Sequence, residues 1–229
     1  MRANAKIIAI EGIDGSGKRT HSRLLAAKLR ADNLQVAEFN FPNYDSPTGA
    51  KIADYLNGKL GNVETFNPYE AAEFFTLDRV AVKAEIKAAI NSNDVVVMDR
   101  YVVSNLAHQG YKIKDETQRL AFYNMILSNE YGLHGLPPAN LNIILHVPAT
   151  IAQTLIDKKQ DRTYLEGKKH DEHEGSILHL NGAADAYAEL ANWLPESRVA
   201  AINCAPQGQL LTVREIAELI YLKVKTFLN

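Results

Sequence analysis

A single cysteine, Cys204, is all the thiol this chain contains, so no internal disulfide can staple it, and the usage fits a reducing compartment. An excess of one charge is missing too. The 25 Lys and Arg against 27 Asp and Glu leave a formal net charge of -2, which is no footprint for duplex nucleic acid or an anionic membrane. Any cation that matters must therefore act locally. No apolar run is long enough to cross a bilayer, and the first five residues are too short for a signal peptide before the first apolar run begins. The expectation is a soluble cytoplasmic protein with no nucleic-acid or membrane partner. Core-forming residues are plentiful: 46% of the 229 residues are hydrophobic, which argues against disorder. With no internal repeat and no clear linker, residues 1–229 read as one α/β domain.

Short apolar runs at Lys6–Ile10, Gln35–Phe39, Asp94–Met98, Leu141–Val147 and Arg198–Asn203 predict five buried strands. Their centres, such as Val95-Val96-Val97-Met98, are continuous rather than alternating, as parallel strands covered on both faces require. Helical spacing fills the intervals at Thr20–Ala31, Tyr69–Asn91, Ser104–Tyr131, Thr150–Lys159, Ile177–Trp193 and Thr212–Phe227. This alternation predicts right-handed crossovers and a doubly wound, five-stranded parallel sheet with helices on both faces. Ligands then bind beyond the carboxyl ends of the strands.

The first strand runs into Gly12-Ile13-Asp14-Gly15-Ser16-Gly17, followed by Lys18 and a helix. Three glycines free the turn to point backbone N–H groups inward at phosphate oxygens, at the positive end of a helix. Lys18 reaches the outer phosphates as a point charge. The position after the lysine, where Ser or Thr commonly holds magnesium, is Arg19, and Thr20 comes one residue later.

Asp99 and Arg100 close the third strand. A carboxylate ending a buried strand is costly without a partner; beside a phosphate loop the natural partner is magnesium, the alternative being a structural Asp–Arg pair at the strand end. Arg100 carries the fork that grips a phosphate bidentately. Phe75 and Arg79, four residues apart, share a helix face on which a ring can stack on a base while a guanidinium bonds its edge. By itself that pair is weak, since helix aromatics are ordinarily core. Phe41-Pro42-Asn43-Tyr44 is a stiff aromatic loop that packs on the core or walls a pocket. The most polar stretch, about 157–175, holds Lys158, Lys159, Arg162, Lys168 and Lys169, and is expected to be a mobile lid or a solvated helix end.

Together, Glu-Gly-Ile-Asp-Gly-Ser-Gly-Lys-Arg-Thr, Phe-Pro-Asn-Tyr, Leu-Asp-Arg, Asp-Arg-Tyr-Val-Val-Ser-Asn, Gly-Leu-Pro-Pro and Asp-Glu-His-Glu resemble the bacterial type of the thymidylate kinase family, from the first strand to about Tyr187. The resemblance implies ATP and dTMP as substrates, Mg²⁺ as cofactor and a homodimer. It places ATP on Gly12 to Thr20. Phe75 would stack on thymine and Arg79 would bond its carbonyl edge. Arg100 would hold the acceptor phosphate, and Asp14 would lie near the 3'-hydroxyl. Ser104 and Asn105 would lie along the base, His108 and Gln109 would belong to the same dTMP site, and Phe41, Pro42 and Tyr44 would close the pocket. Asp99 would serve the metal, with Asp171 and Glu174 an acidic pair beyond the lid and Glu174 near metal or sugar. Lys18, Arg19, Asp14, Arg100 and Arg162 would be the catalytic set. His108 stands where the family often has Tyr, a residue that helps exclude a 2'-hydroxyl, and Arg162 is the lid's single arginine. A kinase for another nucleoside monophosphate, a deoxynucleoside kinase and a non-catalytic nucleotide-binding module are the competing readings.

Overall fold

The computed structural model describes residues 5–158 and 177–229. Strands β1 (Lys6–Gly12), β2 (Val36–Asn40), β3 (Val95–Asp99), β4 (Leu141–His146) and β5 (Val199–Asn203) form one parallel sheet in the order β2-β3-β1-β4-β5. The order explains the burial. From Ile7 to Gly12 every residue of β1 is buried, whereas β2 and β5, with one neighbour each, expose part of their length. The continuous apolar signal therefore belongs to the inner strands. Register brings Ile10 and Asn40 level with Asp99, and Gly12 level with Leu145, so the chemistry-bearing residues meet on one rim.

Helix α1 (Lys18–Ala31) follows the glycine loop, and α2 (Pro47–Leu56), α3 (Pro68–Ala81) and α4 (Lys83–Ser92) join β2 to β3. Helices α5 (Val102–Gly110) and α6 (Glu116–Leu127), with a π-helical turn at Ser128–Leu133, join β3 to β4. Next come α7 (Ala149–Asp157), α8 (Ile177–Trp193) and α9 (Val213–Leu228).

Three departures from the sequence reading have local causes. The expected helix Tyr69–Asn91 is two helices that share Val82 as a joint, so apolar spacing runs on across the break. The expected helix Ser104–Tyr131 breaks after Gly110. Asp115 starts α6 afresh, its side chain accepting a hydrogen bond from the Gln118 N–H at 2.8 Å. Residues 106–127 thus offer no continuous helical face for a partner, and α5 is buried throughout its length. Helix α2 was not anticipated, although Ser46 as N-cap and Pro47 at the first position are start signals. The segment proposed as a lid falls, apart from Asp157 and Lys158, outside the described residues.

The turn that leads into α2 is locked sterically. A Cβ added to Gly49 would stand 1.8 Å from the Asn43 carbonyl oxygen, and backbone cannot yield as a side-chain tip does. Asp78 of α3 completes the lock, accepting hydrogen bonds from the Asn43 N–H and the Thr48 hydroxyl at 2.8 Å each. Gly49→Ala should therefore destabilise the protein by about 1–3 kcal/mol. Urea unfolding would read this as a lowered midpoint, and an unchanged midpoint would contradict it.

Candidate active site

The glycine loop lies where strand β1 hands over to α1. Gly12, Gly15 and Gly17 all have positive φ, at 141°, 81° and 84°. Gly15 also lacks room, since a Cβ there would lie 2.3 Å from the Ala152 carbonyl oxygen of α7. Lys18 is buried; its Nζ donates to the Ile13 carbonyl at 2.7 Å and lies 3.7 Å from Asp14. Arg19 and Thr20 are exposed on the first turn of α1.

At the end of β3, Arg100 has φ of 65°, a left-handed backbone that costs a non-glycine residue roughly 1–3 kcal/mol. Two consecutive N–H groups hold it there. Arg100 N–H donates to the Ile10 carbonyl at 3.0 Å, and Tyr101 N–H donates to Glu11 Oε1 at 2.8 Å. Glu11 is fully buried and its other oxygen accepts from the Ser104 hydroxyl at 2.5 Å and the Tyr187 hydroxyl at 3.1 Å. Burial raises the Glu11 carboxyl above its usual range, although the Ser104 bond, Arg100 and the Tyr101 N–H oppose it. One carboxylate thus ties the end of β1 to the β3–α5 turn and to α8.

The Arg100 guanidinium then spreads across the rim. Its Nη2 pairs with Asp14 of the glycine loop. Its Nη1 reaches Ser104 Oγ at 3.2 Å and His108 Nε2 at 2.9 Å, so Arg100 lies against the stripe of α5 that Ser104 and His108 share. Asp14 touches Lys18 as well. Burial alone would raise its carboxyl, but Arg100 and then Lys18 hold it well below the usual carboxylate range. His108 Nδ1 meets His179 Nε2 of α8 at 3.0 Å. Burial, then Arg100, presses the His108 imidazole well below its ordinary value, and burial also lowers His179.

The second wall is built by α3. Arg79 is 2% exposed, and Glu130 of the π-helical turn grips its Nε at 2.7 Å and its Nη2 at 2.5 Å. Its Nη1 is outside that grip. Asn105 donates to the Ala72 carbonyl at 3.0 Å and to Glu130 at 3.1 Å, and among the described residues its buried Oδ1 has no hydrogen-bond partner. Gln109 Nε2, one turn along α5, is likewise without a partner among the described residues. Phe75 is half-buried, edge-on to Tyr55 with centroids 6.2 Å apart. Phe41, in a cis peptide with Pro42, lies 6.1 Å from the Tyr101 ring, and Tyr44 packs on the satellite core around Tyr55.

Sequence reasoning thus placed the loop, Asp14, Asp99, Arg100, Ser104 and His108 on one rim. It expected Ser104 along a base, whereas its hydroxyl sits in the network between Glu11, Tyr187 and Arg100. Glu11, Glu130, His179 and Tyr187 were missed as partners, though His179 stands out as a polar residue between Leu178 and Leu180 in an apolar helical run. Arg162, Asp171 and Glu174 lie outside the described residues.

One oxygen donor at the strand ends suits a hard cation. The Asp99 carboxylate ends β3 with no side-chain hydrogen bond or ion pair among the described residues, lining a pocket with Arg19, Ser22, Arg23, Glu38 and Asn40. Burial raises its carboxyl while Lys18, Arg100 and Arg19 oppose that. Ser16 Oγ on the loop is buried, with no hydrogen-bond partner among the described residues. A carboxylate oxygen is a fitting magnesium ligand. Asp14, His108 and His179 also come within 4.8 Å of one another, but Arg100 already occupies that cluster.

A parallel sheet of this order, with a glycine–lysine loop after β1 and an Asp–Arg pair at the neighbouring strand end, defines a phosphate-binding-loop kinase fold. Comparison with known proteins narrows the class. The sequence model of the family "Thymidylate kinase" matches residues 10–129. Thymidylate kinase of Mycobacterium tuberculosis is 32% identical over 188 residues, which is 81% of this chain and 85% of that protein. Thymidylate kinase of Coprothermobacter proteolyticus is 32% identical over 188 residues, 80% and 84% respectively. A solved thymidylate kinase structure from Candida albicans shares the fold, with TM-score 0.69 at 22% identity over 99% of this chain and 93% of that one. The chain belongs to the thymidylate kinase family.

Two outcomes follow from this geometry. Glu130→Ala strands a buried guanidinium and should cost about 3–5 kcal/mol in denaturant unfolding, far more than an exposed pair such as Lys59–Asp54. The native His108 and His179 also refuse protons that the unfolded chain takes up below 6.5, the ordinary imidazole value. Where the unfolded state binds more protons, stability rises with pH. Unfolding free energy should therefore drop as pH falls below 6.5, and His179→Gln should flatten that loss.

Proposed function

We infer that the chain transfers the γ-phosphoryl group of ATP to the phosphate of dTMP, giving dTDP and ADP. The observation that carries this reading is the bridge made by Asp14: one carboxylate holds both Lys18 of the donor loop and Arg100 at the end of β3. A phosphate bound by the loop and a second one held by Arg100 would then face each other across a single side chain. The bond from the γ-phosphorus to the ADP oxygen breaks, and one forms to an oxygen of the acceptor phosphate. That oxygen is already anionic, so no strong general base is needed. The task is to hold two polyanions in line and neutralise them.

The loop N–H groups and Lys18 bind the donor phosphates, with Arg19 as an additional cation at the mouth of the loop. Arg100 offers its fork to the acceptor phosphate. Phe75 supplies a ring for the thymine, and Arg79, oriented by Glu130, turns its Nη1 toward the base edge. The amides of Asn105 and Gln109 supply further polar contacts in the same pocket, walled by Phe41, Pro42 and Tyr44. Asp99 would hold Mg²⁺, which when bound would neutralise charge on the phosphate oxygens. Arg162 and Glu174 keep the lid and metal-side roles that the resemblance implies. A homodimer belongs to the same reading, and exposed Leu77 on α3 and Met125 on α6 are apolar surface available to it.

An ADP-release assay with ATP and a panel of dTMP, dUMP, a purine monophosphate and thymidine tests the reaction. Release is expected with dTMP; release with thymidine but not dTMP would overturn the assignment. Arg100→Ala should lower kcat/KM for dTMP by about 30-fold or more, since a truncated partner of a charged pair typically costs about 2 kcal/mol or more. Near-wild-type turnover in that variant would remove Arg100 from the site.

A further inference from the structure

Behind Arg100 runs a chain of polar groups whose proton positions can be assigned by elimination. A guanidinium only donates, so His108 Nε2, 2.9 Å from Arg100 Nη1, must be the acceptor. His108 then carries its proton on Nδ1 and donates it to His179 Nε2 at 3.0 Å. His179 in turn carries a proton on Nδ1, which points to the Tyr111 hydroxyl at 2.9 Å. Tyr111 spends its own proton on Glu64, whose other oxygen lies 3.5 Å from His179 Nδ1. Every link has one donor and one acceptor, all in the same sense, from a cation at the site to a carboxylate on the segment that precedes α3.

We propose that His179, Tyr111 and Glu64 form a relay that positions Arg100 by fixing the tautomer of His108. The proposal rests on the assignment of Arg100 to the acceptor phosphate. Its physical basis is the cost of the alternative. Without an acceptor at Nδ1, His108 is free to carry its proton on Nε2, where donor would face donor and Arg100 Nη1 would be pushed away. Arg100 would keep only Asp14 and Ser104 as anchors, and its fork would swing. Three elements build the device: α5 supplies His108, α8 supplies His179, and the segment before α3 supplies Glu64. Apolar side chains would fill the same space without the desolvation of two imidazoles, so these groups serve the orientation of the guanidinium. His179 is thus a positioning residue, one step removed from the substrate.

The relay also makes acceptor binding sensitive to acid. An imidazolium at His108 has no acceptor to offer Arg100. The charged and titratable groups around the pair are Arg100 after β3, Asp14 and Lys18 from the loop and α1, Glu11 from β1 and Tyr187 from α8. At the far end stand Glu64, Tyr111 and Lys112, whose ammonium burial lowers to about 8. Arg100, Lys18 and Lys112 oppose protonation of the histidines, while Asp14 and Glu64 favour it, and burial keeps both neutral above pH 6.5.

The test is steady-state kinetics from pH 5 to 8 on the full chain and three variants. His179→Leu should raise KM for dTMP about tenfold at pH 8, within the range seen when a group's outer-sphere orienting partner is lost, and leave KM for ATP unchanged. His179→Gln can accept from His108 and donate to Tyr111 without titrating, so it should restore KM at pH 8. It should also lessen the acid-side rise in KM for dTMP. The dTMP phosphate itself titrates near pH 6 in every protein, so the difference between wild type and His179→Gln is the reading. A folded His179→Leu with wild-type KM, or superimposed acid limbs for wild type and His179→Gln, would overturn the relay. Should His179→Leu not fold, the His179→Gln comparison decides alone. Arg100→Ala separates the two levels. If it leaves KM for dTMP unchanged, the underlying assignment fails; if it raises KM while the His179 variants do not, only the relay fails.

Discussion

A buried carboxylate, Glu11, sets the terms for the rest of this molecule. It ends the central strand, where water cannot reach it, and it survives there only because Tyr101, Ser104 and Tyr187 converge on it. Those contacts come from a turn, a helix start and a distant helix. Removing them would leave an unsatisfied charge in the core, so the three elements are committed to one arrangement. The left-handed backbone at Arg100, its contact with the stripe of Ser104 and His108, and the bridge through Asp14 all inherit their positions from this commitment.

Much of the site was legible because its chemistry and its topology coincide. Residues at strand ends are easy to find when strands are continuous apolar runs, and the loop after β1 announces itself by glycine and lysine. What sequence could not supply was the identity of partners. Arg79 was read as a group facing a base, yet two of its nitrogens are spoken for by Glu130, which lies fifty-one residues away on a π-helical turn. No local pattern encodes that contact. The same holds for His179, since an imidazole within apolar spacing says only that something satisfies it. Helix boundaries failed for a different reason. Across Val82 the apolar spacing continues while the backbone does not, and at Ser46-Pro47 the start signal was present but lay inside a segment read as loop.

The site combines two kinds of electrostatic support. Around Asp14 and Arg100, opposite charges sit at a partly open rim, and in the proposed function this ion pair is exchanged for substrate contacts. Around Arg79 and Glu130 the pair is sealed, with both side chains almost wholly inaccessible. A sealed pair fixes direction better than it stabilises the fold. The division suits the proposed function, in which a neutral base is held by shape and amides and a phosphate is met with mobile charge.

Arg100 also carries a lesson about evolutionary freedom. Its main chain is held by Ile10 and, through Tyr101, by Glu11, while its side chain faces the rim, so torsion and charge are fixed by neighbours on different elements. Inserting or deleting a single residue between Asp99 and Tyr101 would break both main-chain contacts at once. The spacing of the Asp-Arg-Tyr triplet is therefore frozen more tightly than the identity of its members. Descendants of this chain can exchange what surrounds the Arg100 guanidinium far more easily than they can move it.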